Sequence, residues 1–384
     1  MASKGGLEMQ ELNTHPAKDV ECQDTYAACY VGRIPTRVKR ELERLPEYVF
    51  LYLKGLDNIV STYVVWQGNR PLIVFLFEIK NRRVNVFNHI NDVDETEIHR
   101  FADHIFSKFE PINIIHFKAV HSNIRRSSFP FPLQKHNATE NFVITLPQTL
   151  AEYERNLGKS TRKTIRYYSN KLARHFPSFS HQVYTKGDIR EEHVRAILSL
   201  REARFTAKKR YRHDGEESIE RVINLAKRSG LVTVIVIDDR VCAGTINFRS
   251  GSNFIGYVLA HDSAYNDFRI GTLCAYMAIS AAIARGGAKF ELGSGRYEYK
   301  SSLLGVRLDM DRLEIYRSPQ QLALNLDNVV KAVVLACIRR LKLWLLRHEK
   351  SLISRSVFEV SFFLRNLRTN KCDLADVKPP LSNR

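Results

Sequence analysis

Between Glu47 and Phe87 the chain alternates apolar runs with short polar breaks: Y-V-F-L-Y-L, S-T-Y-V-V-W, P-L-I-V-F-L-F-E-I and V-N-V-F. Runs of this length, rich in β-branched and aromatic residues, predict strands. Q-G-N-R after Trp66 is a hairpin turn signal, and K-N-R-R after Ile79 is a second one. Asp94 with Glu97 has the spacing of a capping box and predicts a helix through Lys108, followed by the strand I-N-I-I-H-F.

From Thr145 the apolar period becomes helical. L-P-Q-T-L-A-E-Y-E-R-N-L and S-T-R-K-T-I-R-Y-Y-S-N-K-L-A-R-H-F read as helices parted by Gly158, and further helices are predicted near Ile189 to Thr206 and Glu216 to Ser229. Leu231 to Asp238 and Val241 to Phe248 predict another hairpin, turning at Asp238-Asp239-Arg240. A strand from Phe254 to Ala260, a helix opened by Gly271 and closed by Gly286-Gly287, and the short strand K-F-E-L-G follow. Hairpin, strand, helix and strand thus occur twice in order, without a residue-level repeat. The reading is an α/β (α+β) chain of two like halves, with mixed central sheets flanked by helices. The expected boundaries are a flexible tail over residues 1–32, a first half over 33–145, a second over 146–318 and a basic helical extension over 319–384.

Composition bounds the function. With 384 residues, 44% hydrophobic and 26% charged, the chain can bury two cores and is not a disordered polyanion or polycation. A net charge of +18 favours anionic partners: phosphorylated donors, RNA, acidic glycans or an anionic membrane surface. The six cysteines lie without metal-ligand spacing and suit reduced thiols. Neither a signal-peptide core nor an uncharged apolar run of ~20 residues is present, so a cytoplasmic protein without metal is expected. Residues 331–384 hold 12 Lys and Arg against 4 Asp and Glu. The helix predicted there is expected to lay its apolar face on the second half, with its basic face offering a salt-sensitive, peripheral contact to anionic lipid at the inner membrane face.

The stretch Tyr257 to Lys300 carries the chemistry. A strand leads through the polar turn H-D-S-A-Y-N-D-F into a helix whose first turn holds Gly271. Bare N–H groups at such a helix start bind phosphate, with Arg269 and Thr272 beside them. Tyr297 and Tyr299 stand two apart after the next strand, so both reach one side if extended. Glu291, Glu298, His261 and Asp262 are the candidate general bases, while His116 and His121 lack zinc-ligand spacing. Tyr153 to Arg174 and Arg195 to Arg212 are basic helical segments compatible with RNA, a phosphorylated donor or a plain solvated face.

Gly271, Leu273, Gly287, Phe290, Leu292, Gly293, Gly295, Tyr299 and Lys300 together resemble the CelD-like, FemAB-related branch of the GNAT acyltransferases, over roughly Leu146 to Tyr316. Arg269-Ile270 stands where that branch has Ser-Pro, Glu291 where it has Asp, and most of the R/Q-x-x-G-x-G/A coenzyme A loop is missing. The resemblance implies tandem GNAT-like halves with the active site in the second. It implies a donor site at Val258, Arg269, Ile270, Gly271 and Thr272, and catalytic roles among Tyr297, Tyr299, Lys300 and Glu291. The implied donor is acetyl-CoA or another acyl-CoA, and the acceptor a small amine in exopolysaccharide, cellulose or envelope synthesis. Two other readings stand beside it: a FemAB-type transferase using aminoacyl-tRNA, and a non-catalytic accessory protein that binds a polyanion or membrane.

Overall fold

The computed structural model describes residues 25–42, 46–55, 60–68, 70–87, 92–125, 127–207 and 215–347. The first elements are β1 (Thr25–Tyr30), α1 (Thr36–Leu42), α2 (Pro46–Leu53), β2 (Ser61–Gln67), β3 (Arg70–Lys80), β4 (Arg83–Val86), β5 (Asp92–Val93), α3 (Glu95–Lys108) and β6 (Ile114–Ser122). Next come β7 (Leu133–Thr145), α4 (Leu150–Asn156), α5 (Lys159–His175), β8 (Ser180–Thr185), α6 (Glu191–Ala207) and α7 (Glu216–Ser229). They are followed by β9 (Gly230–Ile237), β10 (Arg240–Ser250), β11 (Asn253–His261), α8 (Ile270–Ile283), β12 (Lys289–Glu291), α9 (Glu298–Ser302) and β13 (Val306–Tyr316). The chain's described part ends with α10 (Pro319–Leu324) and α11 (Leu326–Arg347).

The strands form one mixed sheet in the order β1-β2-β3-β4-β6-β13-β7-β12-β11-β10-β9-β8, with β5 beside β6. The same wiring occurs twice. Four antiparallel strands, β1 to β4 or β8 to β11, are followed by a helix, α3 or α8, and then by a strand parallel to the fourth, β6 or β12. The β3–β4 and β9–β10 hairpins each turn on two left-handed residues, Asn81-Arg82 (φ 51° and 59°) and Asp238-Asp239 (φ 49° and 59°). Such turns match the twist of the strands they join. β7 and β13 stitch the two sets together, since β13 pairs with β6 on one side and β7 on the other, while β7 also pairs with β12.

Three expectations are corrected. Thr25–Tyr30, placed in the polar tail, is a strand on the β2 edge, while residues 1–24 lie outside the described set. Y-V-F-L-Y-L is helical, within α2: Val49 enters the core under α6 and α7, and Leu51 enters the core over β2 and β3. A helix buried on two sides is apolar all round, and periodicity alone does not separate such a run from a buried strand. In α11 the face turned to the sheet carries Ala332 and Arg339, and most of the larger apolar residues, from Leu326 to Leu341, are exposed, with Leu345 the buried exception among them; residues 348–384 lie outside the described set. The α3 bounds agree with the reading, although Asp94 caps through the Glu95 N–H (2.7 Å) and Glu97 pairs with Arg100 (3.4 Å).

One difference between the two sets positions the site. β11 and β12 pair over only Asn253–Ile255 and Lys289–Glu291, after which the chain beyond β12 turns to β7, with the Leu292 N–H donating to the Phe142 carbonyl (2.7 Å). The β11 edge is left open from Gly256 onward. Gly256 pairs with Asn247 beside a bulge in β11 at Tyr257, and a Cβ on Gly256 would lie 2.7 Å from the Glu291 carbonyl oxygen. In the first set the equivalent gap is filled, because β5 continues the parallel pairing with β6 at His121 and Ser122.

Candidate active-site cleft

Two adjoining cavities of about 230 and 340 Å³ open where β11 and β12 part. The first runs from Arg201, Arg204 and Phe205 of α6 past Gly256 to Leu259 on the β11 edge, to Ser294 and Lys300 beyond β12. The second is walled by Ser160, Thr161 and Thr164 of α5, by His261 and Asn266, and by Arg269 to Thr272 at the start of α8. Arg204, Leu259, Tyr297 and Tyr299 line both, so these four mark the junction.

The second cavity is electropositive by construction. The first turns of α5 and α8 both face it, and neither N-cap, Gly158 or Arg269, offers a side-chain capping bond. In α8 the Thr272 N–H donates to the Arg269 carbonyl (2.9 Å), but the N–H groups before it and those opening α5 have no intrahelical acceptor, and the two helix dipoles add to them. Arg269 holds the left-handed region (φ 47°, ψ 35°), which costs a non-glycine residue on the order of 1 kcal/mol. Its guanidinium lies over the Tyr168 ring, 5.6 Å from the centroid. His261 Nε2 is 3.0 Å from Asn266 Oδ1, which fixes the imidazole against the start of α8. Glu298 is the acid in this wall.

At the junction the Tyr297 and Tyr299 rings stack, with centroids 6.2 Å apart and planes at 28°. They share a side as the sequence spacing implied, but as the N-cap and second residue of α9, not as an extended strand. Burial pushes the Tyr299 phenol up to about 12, so it is a protonated group at neutral pH. Lys300 is 2% exposed, and its Nζ donates to the carbonyls of Gly293 (2.8 Å) and Ser294 (2.7 Å). Burial lowers its pKa to about 8, against an opposing pull from Glu140. Gly293 and Gly295 have φ of 70° and 95°, a path that favours glycine, and the ammonium pins the first of them from inside.

Val258 and Lys300 line the first cavity, Arg269, Ile270, Gly271 and Thr272 the second, and Tyr297 and Tyr299 both. Glu291 lines neither: Phe290 and Leu292 on either side of it do, while its carboxylate accepts from Asn141 Nδ2 (3.1 Å) inside the sheet. Burial raises its pKa to about 7, with the Asn141 bond opposing. Asp262 caps the turn after β11 by accepting from the Ala264 N–H (2.9 Å). Among the described residues no group of three or more His, Cys, Asp or Glu is arranged to hold a metal ion.

Sequence reasoning missed the α5 contribution and the role of α6. Gly158-Lys159-Ser160-Thr161 was a visible signal, a glycine followed by small hydroxyl residues at a helix start, but it read as a mere break between helices. Arg201 and Arg204 sat inside a basic segment, and nothing local set them apart from Arg195, which the structure spends on Glu191, Glu216 and Glu220.

Residues 159–301 match the family model described as Acetyltransferase (GNAT) domain, a span that contains both cavities' principal walls. No curated protein matches the chain. Among solved structures, FemX is similar in fold with a TM-score of 0.54 at 9% identity, over 76% of this chain and 98% of that one. L-PGS from Bacillus licheniformis aligns with a TM-score of 0.48 at 12% identity, covering 81% of this chain and 97% of its own. A tandem GNAT protein from the clavulanic acid biosynthesis pathway aligns with a TM-score of 0.36 at 8% identity, covering 77% and 99%. The architecture is a GNAT-like mixed α/β fold, a large mixed sheet flanked by helices.

Proposed function

We propose that the chain is an N-acyltransferase that moves an acyl group, an acetyl group in the simplest case, from acyl-CoA to a small amine. The observation that carries this is the open β11 edge meeting two uncapped helix starts at one pair of tyrosines. The first-turn N–H groups of α5 and α8, with Arg269 and Thr272, hold the donor's phosphates. The acyl group reaches the junction, where the freed backbone of Gly256 to Leu259 polarises its carbonyl.

In the transfer, the amine nitrogen forms a bond to the acyl carbon and the bond from that carbon to sulfur breaks. Tyr299 gives its proton to the leaving sulfur, and the proton lost by the amine restores the phenol, so the exchange balances. Lys300 is a positioning residue: it holds the Gly293–Ser294 turn that borders the acceptor side. Glu291 takes no part in this scheme, since its carboxylate lies outside the cleft.

We place the second set of elements, from residue 146 to 318, as the catalytic one. In the first set β5 fills the gap, and α3 opens with Asp94, Glu95 and Glu97, acids that repel phosphate. The charge of +18 and the exposed cations of α5 favour aminoacyl-tRNA as the competing donor. The acceptor class, with a link to polysaccharide or envelope synthesis, rests on the sequence resemblance alone.

The test is a thiol-release assay with acetyl-CoA and a panel of amino sugars, amino acids and polyamines, run beside transfer from charged tRNA. Amine-dependent thiol release supports the reading. Transfer from charged tRNA without any thiol release moves the assignment to the competing donor, and no turnover with either leaves a binding protein.

A further inference from the structure

We propose that α11 is a docking helix for an anionic membrane surface, seated by an apolar stripe that points away from the protein. Leu326, Val330, Val333, Val334, Ile338 and Leu341 are each between 49% and 59% exposed. At the ~100° step of an α-helix they fall within roughly 140° of the circumference. On the same arc Leu345, near the end of the helix, is buried, and the six positions before it stay open. The helix is held to β7 from the other side, where Gln134 Nε2 donates to the Val329 carbonyl (3.4 Å) and Arg339 Nε to Asn137 Oδ1 (3.0 Å), while Arg339 also pairs with Glu140.

The charges beside the stripe choose the occupant. Lys331 borders one side and Arg340 the other, and both are exposed. Across residues 326–347 the basic positions are Lys331, Arg339, Arg340, Lys342 and Arg347, and the one acid is Asp327. An apolar face flanked by cations suits a bilayer bearing anionic headgroups, where the face enters the interface and the cations meet phosphate. A second copy is disfavoured by the same charges, because pairing two such stripes sets cation against cation along the seam. The 22-residue helix is about 33 Å long at ~1.5 Å per residue, so it lies along a surface. No helix among the described residues is long and apolar enough to cross a membrane.

The docked helix is tied to the cleft. Glu140 meets Arg339 of α11 and also Arg296, 3.7 Å away, in the turn that leads into Tyr297. A membrane seat therefore sits one ion-paired carboxylate from the acceptor side of the site, which would favour an amine presented at a lipid surface.

The experiment is flotation of the full-length protein with phosphatidylcholine vesicles, with and without phosphatidylglycerol, at low and high salt. Co-flotation with the anionic vesicles at low salt is expected. The double variant Val330→Glu/Val334→Glu, at two exposed positions, should lower the bound fraction by about tenfold and leave the melting temperature unchanged. Wild-type protein that never floats, or a double variant that floats equally well, would overturn the proposal. So would a wild-type dimer that the double variant converts to monomer, which would assign the stripe to a second copy. Because flotation needs no turnover, its failure leaves the transferase reading untouched.

Discussion

Gly271 and His261 fit together with no room for a side chain between them: a Cβ on Gly271 would lie 2.7 Å from His261 Nδ1 and 3.0 Å from Cε1. The glycine of the α8 start is thus fixed by its neighbour on β11, and the imidazole is in turn held by Asn266. Any substitution at 271 disturbs the donor wall even before a ligand arrives.

Gly271→Ala is therefore expected to destabilise the protein by ~1–3 kcal/mol through overpacking. Removing the obstacle in the double variant Gly271→Ala/His261→Ala should recover most of that loss. Urea denaturation of the four proteins measures the coupling, and strictly additive single losses would show that the contact is not the cause.

Glu291 provides a pH signature separate from activity. Its folded pKa, raised to about 7 from 4.5, means that the folded state holds the proton more tightly than the unfolded chain. The resulting stability is fully present below pH ~4.5 and is lost as the pH rises through ~7, an effect of up to ~3 kcal/mol. Glu291→Gln should flatten this slope and stabilise the protein at pH 8, with kcat changed less than about threefold because the carboxylate is outside the cleft. A collapse of kcat with unchanged stability would return Glu291 to the catalytic group.

Lys300 has the opposite dependence. Its folded pKa is lowered to about 8 from 10.5, so between those values the unfolded chain binds the proton and the folded protein does not. Stability attributable to this residue should rise as the pH climbs from ~8 to ~10.5. Lys300→Met removes that rise and strands two buried carbonyls, at a cost of about 2–4 kcal/mol near neutral pH. Paired chemical denaturation curves at pH 7.5 and 9.5 check it, and a variant with wild-type stability at both would reduce Lys300 to a bystander.

Tyr299→Phe tests the proton donor. The ring and its stacking on Tyr297 are kept while the hydroxyl is lost, so kcat should fall about 10²-fold with little change in donor affinity. Equal turnover by the variant would exclude the phenol as the acid.

The order of many elements was legible in the sequence because hairpins, caps and helix periods are local, but β1, β7, β8 and β13 were not read as strands. The turns at Asn81-Arg82 and Asp238-Asp239, and the ends of α3 and α7, needed only neighbouring residues. α2 was not legible, since a run apolar at every position has no period to reveal. The exchange of β7 and β13 depends on pairings between residues more than 160 positions apart, such as Val306 with Val143 and Ile315 with Leu133, which no local pattern encodes. Within the cleft, residues on one continuous stretch, Val258, Arg269 to Thr272, Tyr297, Tyr299 and Lys300, were found together. Ser160, Thr161 and Arg204 arrive from separate helices, and Glu291 was misplaced because strand alternation turns it away from Phe290 and Leu292.

The central claim is that two helix starts share one anionic donor. Calorimetric titration of acetyl-CoA into the wild-type protein, Thr161→Glu and Thr272→Glu tests it most directly, because each variant adds a carboxylate to a different helix's first turn in the same cavity. The expected result is one-to-one binding by wild-type protein and an affinity loss of at least about tenfold in each variant, through repulsion of the donor's phosphates. Absence of binding by the wild-type protein, or unchanged affinity in both variants, would contradict the account.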